Sequence, residues 1–266
     1  MSKQYIDPVN QKTVLITGAS SGLGYAFVKY FALHGYSVVM VANDKPKLEA
    51  AAESIRKLCS STILSISLDL SQPNSARVLY DLIRKKDVCI DILINNAGFG
   101  SAGAFSEIDY TKEEDEMTLN MITLTLLTKL FLVDMLKRDS GMILNIASLA
   151  ATTPGPFMAV YYATKAYVLH FSEALSEEVK NTGVTVSVFC PGPTKTNFAA
   201  TAGVTKSKLF SRDLPNADMA VKTAIKGLIK SKRTIFDNSR NHAMAIMLRF
   251  ISKKSALKIT SRVNRS

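Results

Sequence analysis

The sequence predicts an α/β fold: one doubly wound parallel sheet with helices on both faces. Three observations predict it. Short β-branched runs alternate with long helical patterns along most of the chain. Those runs are near-continuously apolar and do not alternate, as strands do when helices cover both faces of a sheet. A glycine-rich turn follows the first run directly, where such sheets place a ligand-binding loop. The 266 residues suit one large domain, and at 47% hydrophobic and 21% charged the chain is composed like a packed globular protein, not a disordered or fibrous one.

Strands are expected at 13–17, 37–42, 63–68, 92–95, 142–147 and 184–190, with a short one at 234–236. Helices are expected at about 22–34, 45–58, 73–86, 112–138, 160–181 and 217–230. Gly35 stands just past the first helix as a stop signal, and Asp44 is placed to cap the second. Thr111 and Glu114 have the spacing of a capping box, and Glu113, Glu114, Asp115 and Glu116 read as the solvated first turn of the long central helix. No repeat or linker divides the domain. The body is read as residues 1–230, with 231–266 a basic, partly amphipathic C-terminal extension.

The formal charge is +11, and its distribution excludes one class of partner. Residues 222–266 hold twelve basic side chains and a single acid, Asp237, so residues 1–221 are neutral overall. A basic nucleic-acid-binding body is thereby excluded. Cys59, Cys89 and Cys190 are widely spaced, and the apolar runs around Cys89 and Cys190 suit buried, reduced thiols of a cytoplasmic protein. Neither they nor His34, His170 and His242 form a metal pattern. The polar N-terminus does not read as a signal peptide, and apolar stretches such as 244–248 fall short of the roughly 20 residues that span a bilayer.

Three elements carry chemistry. Thr17-Gly18-Ala19-Ser20-Ser21-Gly22-Leu23-Gly24 closes the first strand and opens a helix, where glycines let backbone amides approach a pyrophosphate. Asn95-Asn96-Ala97-Gly98 stands at the C-terminal end of the fourth strand, beside the crevice where ligands bind. Tyr161 and Lys165 lie four residues apart on one helical face, with Ser148 upstream at a strand end. An ammonium beside a phenol stabilises phenolate, so the pair can exchange a proton near neutral pH. Tyr162 would present a different face of the helix.

In this order, on these strand and helix ends, the elements closely resemble the short-chain dehydrogenase/reductase family, a Rossmann-type fold. The resemblance covers roughly residues 10–200 and extends to Asp69, Asn120 and Pro191-Gly192-Pro193-Thr194-Lys195-Thr196. It implies that Gly18, Ser20, Ser21, Gly22, Leu23 and Gly24 hold the cofactor phosphates. Asp69 and Leu70 would contact adenine, and Asn96, Ala97 and Gly98 would border the adenosine. Pro191, Gly192, Thr194 and Thr196 would meet the nicotinamide end. It also implies that Ser148 binds a substrate carbonyl, Tyr161 protonates its oxygen, Lys165 lowers the Tyr161 pKa and binds the nicotinamide ribose, and Asn120 holds a water. The expected function is an oxidoreductase interconverting a ketone or aldehyde and an alcohol. A cofactor-binding scaffold without turnover is the alternative, and the intact proton-transfer set argues against it.

The cofactor is NAD(H) or NADP(H). At the end of the second strand, Val41-Ala42-Asn43-Asp44-Lys45 carries neither the acid that marks NAD nor the Arg that marks NADP. Asn43, Ser20 and Lys45 could hold a phosphate, which favours NADP(H). Residues 152–158 should line the substrate pocket and 198–214 should form its lid, with Leu209 and Phe210 as apolar contacts. They point to a hydrophobic small molecule, although such side chains also simply pack loops down. The family pattern implies a homo-oligomer. The basic tail has three readings: packing on its own domain or a symmetry mate, lying on an anionic membrane surface, or remaining solvated.

Overall fold

The computed structural model describes residues 12–196, 198–203 and 214–265. Leu209 and Phe210, the expected lid contacts, lie outside the described residues. Seven strands form one parallel sheet in the order β3-β2-β1-β4-β5-β6-β7. They are β1 (Thr13–Thr17), β2 (Ser37–Ala42), β3 (Ile63–Ser67), β4 (Ile92–Asn95), β5 (Gly141–Ile146), β6 (Val184–Cys190) and β7 (Thr234–Phe236). Connecting them are α1 (Gly22–Leu33), α2 (Lys45–Arg56), α3 (Ser75–Lys85), α4 (Tyr110–Met117), α5 (Leu124–Lys137), α6 (Ala159–Glu178), α7 (Phe198–Ala202) and α8 (Ala217–Ile229). The winding reverses between β1 and β4, which opens a crevice at their C-terminal ends.

The strands read as apolar runs because both faces are covered. Successive side chains of a strand alternate in direction. Val14 and Ile16 therefore enter one core layer with Phe27, Phe31, Met40 and Leu48, while Leu15 enters the other with Leu79, Ile83, Leu93 and Met135. Burying each such side chain contributes about 1.5–3 kcal/mol. Gly35 ends α1 at φ +83°, and Asp44 caps α2 by accepting from the Lys47 amide at 3.0 Å.

Four sequence expectations are corrected. Asp109, not Thr111, caps α4: its carboxylate accepts from the Lys112 amide at 3.0 Å and from the Thr111 hydroxyl. The first turn is not uniformly solvated, because Glu113 and Glu116 are buried. Cys89 is exposed, in the loop before β4, while Cys190 is buried. Residues 110–137 also form one continuous helix, long and apolar enough by length and composition to cross a membrane. Its buried residues Leu127, Phe131, Leu132 and Met135 nevertheless pack on sheet residues Leu93 and Ile143.

Two further helices, α9 (Ser239–Phe250) and α10 (Lys253–Asn264), follow β7. The end of α10 docks on the loop before α6. Thr260 Oγ1 donates to the Pro154 carbonyl at 3.0 Å, and Asn264 Nδ2 to the Pro156 carbonyl at 3.0 Å. Tyr162 Oη donates to Asn264 Oδ1 at 3.2 Å, and the Arg265 guanidinium lies 5.0 Å over the Phe157 ring. These contacts hold the end of α10 on the domain that precedes it.

Candidate active site

The crevice is stitched together by side chains of the two strand ends. Thr17 Oγ1 accepts from the amides of Asn96 (3.0 Å) and Ala97 (2.9 Å), while Asn96 Nδ2 donates to the Thr17 and Gly18 carbonyls at 2.8 and 3.3 Å. This close approach explains two glycines. A Cβ on Gly18 would stand 2.9 Å from Ala97 Cα, and one on Gly24 would run into the Gly18 carbonyl. Ser20 is half-buried, and Ser21 precedes α1 without capping it through its side chain, which leaves the first helical amides to an anion. Leu23 packs against the core beneath.

The other expected contacts surround this turn. Thr196 approaches Gly22, where an added Cβ would stand 3.2 Å from the Thr196 Cβ. The Pro191 carbonyl accepts from the Leu149 amide at 2.8 Å, and Thr194 Oγ1 donates to the Gly192 carbonyl at 3.0 Å. Asp69 accepts from the amide and hydroxyl of Ser71, and buried Leu70 gives its carbonyl to Thr123 Oγ1 at 2.8 Å. Asn43 is exposed at the end of β2, and the Asp44 carboxylate is engaged by Lys47 as cap and ion pair. Glycines beneath a helix N-terminus, framed by two strand ends, fit a dinucleotide pyrophosphate.

Beside the crevice, α6 presents Tyr161 and Lys165, both buried. Lys165 Nζ donates to the Ile146 carbonyl at 3.0 Å and lies 5.8 Å from the Tyr161 ring centre. Ser148 Oγ accepts from the Ala150 amide at 3.1 Å, starting a short 3-10 turn, and faces Tyr161. Asn120 is fully buried. Its Oδ1 accepts from the Phe99 amide (3.2 Å), and its Nδ2 donates to the Phe99 carbonyl (2.9 Å) and to Thr164 Oγ1 (3.1 Å). Gly98 is squeezed between them: a Cβ there would stand 2.7 Å from Asn120 Oδ1 and 3.3 Å from Lys165 Nζ. Asn120 lies in a π-helical turn, Thr118–Thr123, that joins α4 to α5.

Electrostatics differ from the sequence expectation in one respect. Burial pushes the Tyr161 phenol above its ordinary range, and the Ser148 hydroxyl is the group that pulls it back. Burial also brings Lys165 down to about 8, with Glu116 and Cys190 opposing the fall. Burial thus disfavours the phenolate, while Ser148 and the ammonium 5.8 Å from the ring centre are the groups placed to favour it.

Several contributors were not anticipated from sequence. Thr164, between Tyr161 and Lys165, ties Asn120 to α6. Asp237, the single acid of the tail, accepts from the Gly192 amide at 3.2 Å and from Asn241 Nδ2 at 2.7 Å, which fixes the loop after β6. An apolar cluster around Tyr161 takes Met158 from the expected 152–158 segment and Phe198 and Ala202 from the expected 198–214 segment, with Tyr162; Ala102 and Ala150, which no expectation named, join it. No periodicity marks these residues, because they meet across loops.

An open α/β sheet with this glycine turn at its switch point and this Ser, Tyr, Lys and Asn set defines a class, the nicotinamide-dependent oxidoreductases. The chain belongs to the short chain dehydrogenase family, whose model matches residues 12–207. It is similar to a ketoacyl reductase of Nostoc sp., 33% identical over 224 residues, covering 84% of this chain and 77% of that protein. It is also similar to a very-long-chain 3-oxoacyl-CoA reductase of Rattus norvegicus, 27% identical over 88% of this chain and 73% of the relative. Among solved structures, a short-chain dehydrogenase from Sphingobium yanoikuyae in complex with NADPH superposes with a TM-score of 0.79 at 30% identity, covering 91% of this chain and 97% of the other.

Proposed function

We propose that this protein reversibly reduces a ketone or aldehyde on a hydrophobic small molecule, using NADP(H) in preference to NAD(H). The observation that carries the reading is the buried Tyr161 phenol, facing Ser148, with Lys165 one helical turn on and an apolar cluster around it. The glycine turn, Asn96–Gly98 and the 191–196 loop would hold a nicotinamide cofactor, which would supply the hydride. Ser148 donates a hydrogen bond to the substrate carbonyl and polarises it. As the carbonyl carbon is reduced, Tyr161 gives its proton to the oxygen, so the alkoxide never accumulates. Lys165, charged below about pH 8, stabilises the phenolate that results. Asn120 holds the loop at Phe99 against α6 and keeps this geometry.

The NADP(H) preference rests on Asp44. Its charge is countered by Lys47, so the end of β2 offers Asn43 and Lys45 to a 2′-phosphate. The two reductases named above support an acyl-chain ketone as substrate class. An exposed apolar stripe on the central helix, Ile122, Leu126, Val133 and Leu136, with Tyr167 on α6, supports a homo-oligomer. On α9 and α10, exposed Ile246, Met247, Phe250, Leu257 and Ile259 stand among basic residues, which supports a cytoplasmic enzyme held peripherally at an anionic membrane.

The deciding experiment follows NADPH and NADH absorbance across 3-oxoacyl thioesters, steroid ketones and small ketones. Turnover is expected with NADPH on an apolar ketone, and Tyr161→Phe should lower kcat by roughly 10²–10⁴. Undiminished turnover in that variant would refute the role of Tyr161, and a clear preference for NADH would refute the cofactor assignment.

A further inference from the structure

Glu116 breaks the rule that buried charge is paired. Its side chain is 0% exposed, and among the described residues neither carboxylate oxygen has a hydrogen-bond partner. The Ser101 hydroxyl lies against it, also buried and without a completed hydrogen bond. An unsatisfied buried carboxyl is costly, and proteins tolerate such defects mainly where function requires them. Glu116 sits four residues before Asn120, at the end of α4 where the π-helical turn begins. Across from it, α6 brings Lys165 and Tyr161 close enough for each to feel its charge. The other charged groups near it are Lys112 and Glu113 of its own helix, and Cys190 is the further titratable neighbour of Lys165.

We propose that Glu116 is a positioning residue of the active site, a sealed carboxylate that keeps the Lys165 ammonium charged while Tyr161 exchanges its proton. The inference rests on the oxidoreductase reading and adds to it the group that sets the pH range of Lys165. Burial favours loss of the Lys165 proton, and a charged Glu116 opposes that loss.

The test compares wild type with Glu116→Gln, Glu116→Leu and Glu116→Asp in the full-length protein. In kcat/KM against pH, the Gln and Leu variants should lose activity at lower pH than wild type. The expected displacement of the alkaline limb is on the order of one pH unit, the effect of removing a unit charge from a buried site. The Asp variant, which keeps the charge, should restore the profile. Superimposable profiles for wild type and Glu116→Gln would overturn the proposal.

Melting temperature against pH supplies a readout that needs no substrate. A folded-state pKa raised from 4.5 to about 7 means that the folded protein holds the extra proton, so Glu116 costs stability increasingly as pH rises through that interval. The Gln variant should therefore melt above wild type by a margin that widens from pH 5 to pH 8. A margin that stays constant overturns the proposal even if no ketone is ever found to turn over. Absent turnover in wild type combined with a widening margin would sink the oxidoreductase reading and leave the titration of Glu116 standing.

Discussion

Individual residues at this site are set by close approach. Gly24 is the clearest case, because the atom its missing Cβ would strike is the Gly18 carbonyl, a backbone group unable to swing aside. Gly24→Ala should therefore cost about 1–3 kcal/mol by overpacking and weaken NADPH binding, read by urea unfolding and cofactor titration. Unchanged values in both would show that the turn has room to shift. Legibility in the sequence follows the same logic. Gly18, Gly22, Gly24, Tyr161 and Lys165 were readable because their chemistry demands particular residue types at particular spacings. Glu116 was not. Four consecutive acids at a helix start look alike on paper, and only the packing of α4 against α6 decides which of them are buried.

Among the elements, the strands were legible almost to the residue, since a strand buried on both faces has no polar positions to blur its ends. The central helix was legible as a helix but not in its phase. The π-helical turn at Thr118–Thr123 inserts extra backbone between α4 and α5, so one 3.6-residue periodicity cannot describe both halves. That turn carries Asn120 inward. The docking of α10 was illegible for another reason: the bond between Tyr162 and Asn264 spans 102 positions, and nothing in either neighbourhood announces the other. Removing it by Asn264→Ala should cost about 1–3 kcal/mol, because the buried Tyr162 hydroxyl and the Pro156 carbonyl lose their partner. Tyr162 adjoins Tyr161, so KM for the ketone should rise more than kcat falls. An unchanged KM would mean that α10 only stabilises the loop.

On the scale of the whole molecule, charge and apolar exposure are separated from chemistry. The body is neutral, and the +11 excess lies in residues 222–266. There Phe250 is 84% exposed, beside Lys253 and Lys254. Such a surface should bind vesicles containing phosphatidylserine and release them at high salt, because screening weakens surface attraction. Flotation of wild type against Phe250→Ser, Lys253→Glu, Lys254→Glu tests this, and equal flotation of the two would reject the membrane contact. Sedimentation of the same samples reports whether the stripe on the central helix pairs two copies. The docked end of α10 has a practical consequence. An affinity tag fused after Ser266 would be tethered two residues from the side chain that receives the Tyr162 hydroxyl, so the choice of purification handle is also a choice about the loop before α6.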